Sequence, residues 1–387
     1  MMEDFRKAYH RELALALDIT DGVTAGEDQL PAGWHLRKPV AAETPAMTRL
    51  LAAHQERVLG KASAAWADVD DRVLGRGAEF RFHRIAQDAD GQARGWVNVN
   101  DRAVHRVMID VYLDPALVAG EVDGADAAAV WDALFAWGRA AAIRMAWRRG
   151  VSETVLDSSP YEADEFTRER LAAAGFHKER TWWQMRRPVT PEEADPETLG
   201  PPKEGLVIRR VDQNTSGRLP NEDDLRAVHA ALEDSFRDHF NSQPEPFLEF
   251  VSRLREERSH RWDHWWLAEL AEDGTAAGAV IAAAVLDDGD LDEQLRRAEE
   301  GLQQAVPEAV GSYIEYIGVT RAARGRGAAK GLLHAVIRDA AERGRAFVDL
   351  EVDADSPTNA HEIYSAMGWR TKYATETWHA PLQVPQD

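Results

Sequence analysis

Arg324-Gly325-Arg326-Gly327-Ala328-Ala329 is the stretch of this sequence whose residue types point most directly to chemistry. It follows a β-rich apolar run and opens a run with helical periodicity. Glycines let a backbone approach a ligand closely, and the free N–H groups at a helix start attract anions. Arg324 and Arg326 add donors suited to a pyrophosphate. A plain strand–helix turn with surface arginines would look the same, so the surroundings must decide. Two other phosphate motifs fit poorly. A nucleotide-triphosphate loop ends in Gly-Lys-Ser/Thr, whereas this chain has Ala329-Lys330-Gly331, and a dinucleotide fingerprint needs a small residue where Lys330 stands. His260, Asp263 and His264 have metal-like helical spacing, but their stretch runs straight into a strand pattern and brings no third-ligand motif, so no metal is expected.

The elements around the glycine turn are readable. Tyr313–Val319 (YIEYIGV) is a strand, and after the turn Leu332, Leu333, Val336, Ile337 and Ala340 recur at helical spacing, with Gly344 at a C-cap position. Phe347–Val352 alternates as a strand, and Asn359–Met367 is a short helix stopped by Gly368. The same order occurs earlier: strand Val107–Leu113, helix Trp131–Trp147 ending at Gly150, strand from Thr154, and a helix end at Leu171–Phe176. Gly150 and Gly175 are 25 residues apart (175 − 150), and Gly344 and Gly368 are 24 apart (368 − 344). An internal repeat of this kind predicts two similar domains. The Pro- and Glu-rich stretch 188–205 reads as a linker between them. The expected layout is a helical N-terminal extension over 1–30, a first domain over 31–187, the linker 188–205, and a second domain over 206–387 with a helical insertion at 287–311. Each domain is expected to be α/β (α+β), a mixed, mostly antiparallel sheet flanked by helices.

Composition limits the function. The chain has 387 residues, 44% hydrophobic and 29% charged, which suits two domains with sizeable cores. Cysteines number 0, which excludes disulfides, thiolate nucleophiles and cysteine–zinc sites. The formal net charge of -21 argues against a nucleic-acid partner and would steer a cationic small molecule inward. No apolar run is long enough for a membrane span and the N-terminus does not read as a signal peptide, so a cytoplasmic monomer or homodimer is expected.

The run GVTRAARGRGAAKGLL resembles the coenzyme A loop of the GNAT superfamily of N-acetyltransferases, with Arg324, Gly327 and Ala329 filling its pattern. The run NAHEIYSAMGW resembles that superfamily's second motif, through Tyr364, Gly368 and Trp369. The resemblance covers about Leu206 to Leu382 in detail and the first half only in outline. It implies two tandem GNAT-like domains and transfer of an acetyl or other acyl group from acetyl-CoA to the amine of a small molecule. It places the cofactor on Ile317, Val319, Arg324, Gly325, Arg326, Gly327, Ala328, Ala329 and Asn359, in a gap between splayed strands. It makes Tyr364 the acid at the leaving thiolate. An amine must lose a proton to attack, and Glu315, read as sharing the face of Val319 by alternation, is the candidate base. Glu351 and Asp353 are the alternatives. In the mycothiol synthases, which are tandem pairs of this kind, the corresponding Glu stands where this chain has Tyr313. Asp238 and His239 are candidates to line the acceptor pocket.

The first half lacks the loop. At an offset of 194, Arg324, Gly325 and Gly327 fall on Val130, Trp131 and Ala133, and Glu121, Asp123 and Asp126 precede them. Leu171 stands where Tyr364 would. That half reads as a degenerate copy. The alternative to an enzyme is a non-catalytic sensor of acyl-CoA or a metabolite, which would not need Tyr364 with a carboxylate across from it.

Overall fold

The computed structural model describes residues 20, 22–75, 78–103, 105–213, 220–237, 245–255, 259–356 and 360–385. Among the described residues twelve strands occur: β1 (His35–Arg37), β2 (Arg81–Gln87), β3 (Ala93–Ala103), β4 (Arg106–Leu113), β5 (Glu153–Ser158), β6 (His177–Pro188), β7 (Leu206–Arg210), β8 (His260–Leu270), β9 (Ala276–Asp287), β10 (Glu308–Val319), β11 (Phe347–Asp353) and β12 (Arg370–Gln383). The chain divides into two compact units. The first comprises residues 1–182, 289–305 and 373–387, and the second 183–288 and 306–372.

In the first unit the strand order is β1-β2-β3-β4-β5-β12, followed by the start of β6. All its recorded pairings are antiparallel except β4 with β5. The helix Ala127–Arg148 covers one face and buries Val130, Leu134, Trp137 and Ala141 against Val97, Val99 and Ile109. The helix Thr44–Leu59 covers the other, setting Met47, Leu50 and Leu51 against Ile85 and Trp96.

The second unit runs from the end of β6 through β11-β10-β9-β8-β7. Its β7–β8, β8–β9 and β9–β10 pairs are antiparallel, and β10–β11 is parallel. The helix Ala328–Glu342 packs on one face. Its Leu332, Leu333, Ile337 and Ala340 are fully buried against Ile314, Val348 and Leu350, as the apolar spacing requires. Each of the two leucines and the isoleucine contributes about 1.5–3 kcal/mol by leaving water. The helices Glu222–Phe236 and Phe247–Leu254 cover the opposite face, against Trp265, Leu267, Ala279 and Ile281. Both units are therefore mixed, mostly antiparallel sheets flanked by helices, the architecture the sequence predicts.

The boundaries differ from those read in the sequence. Residues 289–305 and 373–387, assigned there to the second domain, group with the first unit, and 183–187 group with the second. The reason lies in long-range pairing. Trp378–Gln383 lies antiparallel to Glu153–Ser158, and Trp66 N–H bonds Gln294 Oε1 at 3.1 Å. Residues 1–19 of the expected helical extension lie outside the described residues. From Gly22 to Leu30 only the short 3-10 turn Glu27–Gln29 forms. The stretch 188–205 carries a 3-10 turn at Pro191–Ala194 and a short helix at Pro196–Leu199. The insertion is a helix at Leu291–Glu299. His260 and His264 lie in β8, where no helical face brings them together, and among the described residues no group of three or more His, Asp or Glu gathers as a metal site.

Candidate functional site

β10 ends at Val319, and Thr320 N–H closes it onto Ala277 O at 2.9 Å. A 3-10 turn, Arg321–Ala323, leads to Gly325 and Gly327, whose φ values of +76° and +92° are left-handed. Residues with a Cβ rarely adopt such angles, which explains the glycines. Buried Ala323 and Ala328 anchor the turn. The helix Ala328–Glu342 starts on Gly327 with no side-chain cap, and Gly331 N–H, bonded to Gly327 O at 3.1 Å, is the first to find a carbonyl across this turn. The preceding N–H groups of the helix are thus left for an outside acceptor. Arg324 and Arg326 are exposed beside them. Lys203 completes the cradle, since a Cβ on Gly327 would meet Lys203 Cδ at 3.3 Å. Reading 188–205 as a linker concealed that lysine, because nothing local in the sequence points it at Gly327.

Next to the turn the sheet opens. β10 and β11 pair in register from Gly311↔Phe347 to Ile314↔Leu350 and no further, although the strands run on to Val319 and Asp353. At the same level a register shift between Ile314 and Tyr316 against β9 makes Glu315 an extra residue. Such a bulge reverses the alternation beyond it. Ile314, Ile317 and Val319 all pack on the side of the helix Ala328–Glu342. Tyr316 joins the opposite cluster, and a Cβ on Gly318 would run into Ser235 Oγ on that side. Glu315 faces that way too, with Oε2 3.8 Å from His260 Nδ1. The expectation that Glu315 shares the face of Val319 is therefore corrected, because strict alternation does not survive the bulge.

The alternative carboxylates lie across the opening. Val348, Leu350 and Val352 point to the Ala328–Glu342 side, so Asp349, Glu351 and Asp353 point to the side of Glu315. Asp349 is held by Arg186 at 2.8 Å and Lys372 at 2.7 Å. Glu351 accepts from Gln184 Nε2, and burial holds its carboxyl above the ordinary range despite that bond.

Tyr364 lies on the helix Ala360–Ala366 and packs edge-on to Trp369, with centroids 5.9 Å apart, on the Ala328–Glu342 side. Burial pushes its hydroxyl up to about 12, so it is a proton donor across the neutral range. Asn359, Asp238 and His239 lie outside the described residues.

The corresponding turn in the first unit differs where it matters. The helix Ala127–Arg148 is capped by Asp126, whose carboxylate accepts from Ala128 N–H at 3.0 Å. A carboxylate thus occupies the place an anionic ligand would take.

Residues 226–369 match the model of the acetyltransferase (GNAT) family. The chain carries a GNAT-family domain. The whole chain also shares its fold with solved structures. The GCN5-related N-acetyltransferase from Sphaerobacter thermophilus is 23% identical, with a TM-score of 0.69 over 92% of this chain and 98% of that one. The tandem GNAT protein from the clavulanic acid biosynthesis pathway is 13% identical, with a TM-score of 0.57 over 92% of this chain and 100% of that one. The GCN5-related glucosamine N-acetyltransferase region of a fungal multi-domain GH3 β-N-acetylglucosaminidase is 15% identical, with a TM-score of 0.58 over 90% of this chain and 38% of that one. At these identities the likeness is one of fold. No curated protein matches the sequence. The family match over residues 226–369 is to acetyltransferases, and the likeness of the whole chain to these structures is one of fold alone. Among the described residues no helix is long and apolar enough to cross a membrane.

Proposed function

We propose that this chain is an N-acyltransferase that moves an acetyl group from acetyl-CoA to the amine of a small molecule, using the GNAT domain alone. The observation that carries this reading is the uncapped helix start at Gly327, directly after a strand that parts from its neighbour. The N–H groups of Ala328 and Ala329, with Arg324, Arg326 and Lys203, suit a pyrophosphate. When bound, acetyl-CoA supplies an acyl group already activated as a thioester. Beyond Ile314 the β11-facing backbone groups of β10 have no ladder to bond, so those near Ile317 and Val319 are available to orient a carbonyl. Glu315, on the far face of the sheet from Tyr364, takes the proton from the incoming ammonium. Tyr364 gives its proton to the leaving sulfur. A base and an acid on opposite faces of the opening favour turnover over mere sensing.

Mass spectrometry of the purified protein for co-purifying coenzyme A, followed by thiol release from acetyl-CoA with a panel of amines, tests this. Tight cofactor binding with no thiol release for any amine would leave a sensor in its place.

A further inference from the structure

We propose that His260 is the positioning partner of Glu315, so that the proton-accepting group of the GNAT domain is a carboxylate–imidazole pair. The inference rests on the reading of Glu315 as base and adds a residue that the family motifs do not contain. His260 lies at the start of β8, where its backbone pairs with Ala283 of β9, and Glu315 is the bulged residue of β10 on the other side of β9. The bulge turns over the residues beyond Glu315, so Ile317 and Val319 face away from the carboxylate. Nδ1 of His260 stands 3.8 Å from Oε2 of Glu315, with the side chains 4% and 14% exposed. Both ring nitrogens and Oε2 are buried with no hydrogen-bond partner. Three unsatisfied polar atoms in one place are costly, and proteins seldom leave them without a purpose. Here Nδ1 and Oε2 satisfy each other once the gap tightens by under an ångström or takes one water, as catalytic hydrogen bonds often do when substrate binds, and only Nε2 stays unpaired.

The surroundings restrict the imidazole to this task. Its ring sits edge-on to Trp262 and Trp265, at 4.6 and 5.6 Å between centroids, which fixes its plane and excludes rotation away. The other titratable groups on this face are Tyr313 and Tyr316 of β10, Asp349, Glu351 and Asp353 of β11, and Arg253, Glu245 and His229 on the helix side. Arg253 is engaged by Glu245 at 2.9 and 2.7 Å and by the Tyr316 hydroxyl at 2.8 Å. His229 bonds Glu245 O at 2.8 Å. No other basic side chain of the described residues pairs with Glu315. With Nδ1–H directed at Oε2, the buried oxygen is held and Oε1 is left to receive the ammonium proton. One N–H bond of the acceptor breaks, one O–H bond forms on Glu315, and the nitrogen lone pair is freed for attack. His260 keeps its own proton throughout.

The test uses the full chain with His260→Gln, His260→Asn, Glu315→Gln and the double variant His260→Gln/Glu315→Gln, each checked for an unchanged thermal midpoint. The expected result is a tenfold or greater loss of kcat in His260→Gln with the KM for acetyl-CoA unchanged, and an acid-side limb of the kcat profile that moves. His260→Asn, whose side-chain N–H stands nearer the place of Nδ1–H, should recover part of the loss. In the Glu315→Gln background the His260→Gln change should add nothing, because the two act as one unit. A readout without turnover is the ¹⁵N signal of His260 in the cofactor-free protein, which should shift on Glu315→Gln. An unshifted signal, or additive losses in the double variant, overturns the pairing. If Glu315→Gln is as fast as the parent while the signal shifts, the pair stands and the base assignment fails instead.

Discussion

Ile314 and Leu350 form the last paired row between the parallel strands β10 and β11, and Glu315, the next residue, is the bulge that turns the rest of β10 over. One residue thus marks both where the sheet opens and where its faces exchange. The exchange presents Ile317 and Val319 to the side of the phosphate turn and Tyr364, and Glu315 to the other. Under the proposed function, a substrate entering the opening would meet Tyr364 and Glu315 from opposite sides. That arrangement fits an attack and a departure on opposite sides of one carbonyl.

Gly327→Asp should remove cofactor binding while the fold persists. The residue sits at φ +92° with Lys203 packed over it, so a side chain there is strained and displaces a cation. A carboxylate beside the free N–H groups adds repulsion, and the two effects cost on the order of 1–3 kcal/mol each. Calorimetry should show binding of coenzyme A weaker by roughly thirtyfold or more, with Gly327→Ala intermediate. Parent-like affinity in a folded Gly327→Asp variant would mean that the turn holds no phosphate.

Coenzyme A should bind once per chain. The Asp126 carboxylate caps the helix start in the first unit, while Gly327 leaves its counterpart open. Calorimetric titration of the intact chain reads this directly as a stoichiometry of one, and Lys203→Ala should weaken that single event and reduce its salt dependence. The intact chain is the right sample, because β6 and β12 each contribute residues to both units. Two equivalents bound would overturn the contrast between the two helix starts.

Much of the phosphate turn is legible in the sequence because its physics is local. Gly325, Gly327 and the apolar spacing of Leu332 to Ala340 dictate a left-handed turn and an amphipathic helix without help from elsewhere. Glu315 shows the opposite case. Its face relative to Val319 is set by a register shift against β9, a pairing between segments far apart in sequence, and period-two counting across that shift wrongly puts the two on one face. Lys203 and His260 escape for the same reason, since each acquires its neighbour through tertiary packing. The domain boundaries drift likewise, because β12 completes the first unit through pairing with β5, which no linker composition reveals.

Tyr364→Phe should lower kcat more than it weakens coenzyme A binding. The hydroxyl is raised to about 12 by burial, so it holds its proton through the neutral range and should contribute no alkaline limb under about pH 11. General acids contribute about 10²–10⁴-fold. Stopped-flow or steady-state thiol release, compared with binding affinity, separates the two effects. Equal turnover in parent and variant would reduce Tyr364 to a packing partner of Trp369.

His83 makes the first unit sensitive to acid. Trp96 Nε1–H donates to its Nδ1 at 3.3 Å, and its Nε2 lies 3.3 Å from Arg72 O, a pattern that requires the neutral ring. Burial pushes the imidazole down from 6.5 to about 3. The unfolded chain therefore binds the proton first, and stability from this group is complete above pH 6.5 and lost as pH falls toward 3. The slope for one proton is about 1.4 kcal/mol per pH unit. Urea unfolding of the parent and His83→Gln at pH 7, 5.5 and 4.5 should show the variant gaining on the parent as pH falls. A gap that stays constant with pH would assign the ring no such role.

The acceptor should be an amine that is cationic at neutral pH. The chain's net charge of -21 would concentrate cations near it, and the groups facing Glu315 across the opening, Asp349, Glu351 and Asp353, are acidic. Lys372 and Arg186 neutralise Asp349, but Glu351 has only the uncharged Gln184 amide as its recorded partner, so the acceptor side keeps a negative bias. Steering of this kind acts on association, so kcat/KM for a cationic amine should fall as salt rises from 0.05 to 0.5 M, with kcat nearly constant. Those salt values span a Debye length of about 14 to 4 Å. Glu315→Gln should then lower kcat at any salt, because it removes the group that takes the ammonium proton, while the salt slope of kcat/KM persists. A panel of mono- and polyamines beside amines carrying carboxylate or phosphonate groups supplies the comparison. If only the anionic amines react, or if salt accelerates the cationic ones, the acidic surface serves solubility and the acceptor is recognised by other means.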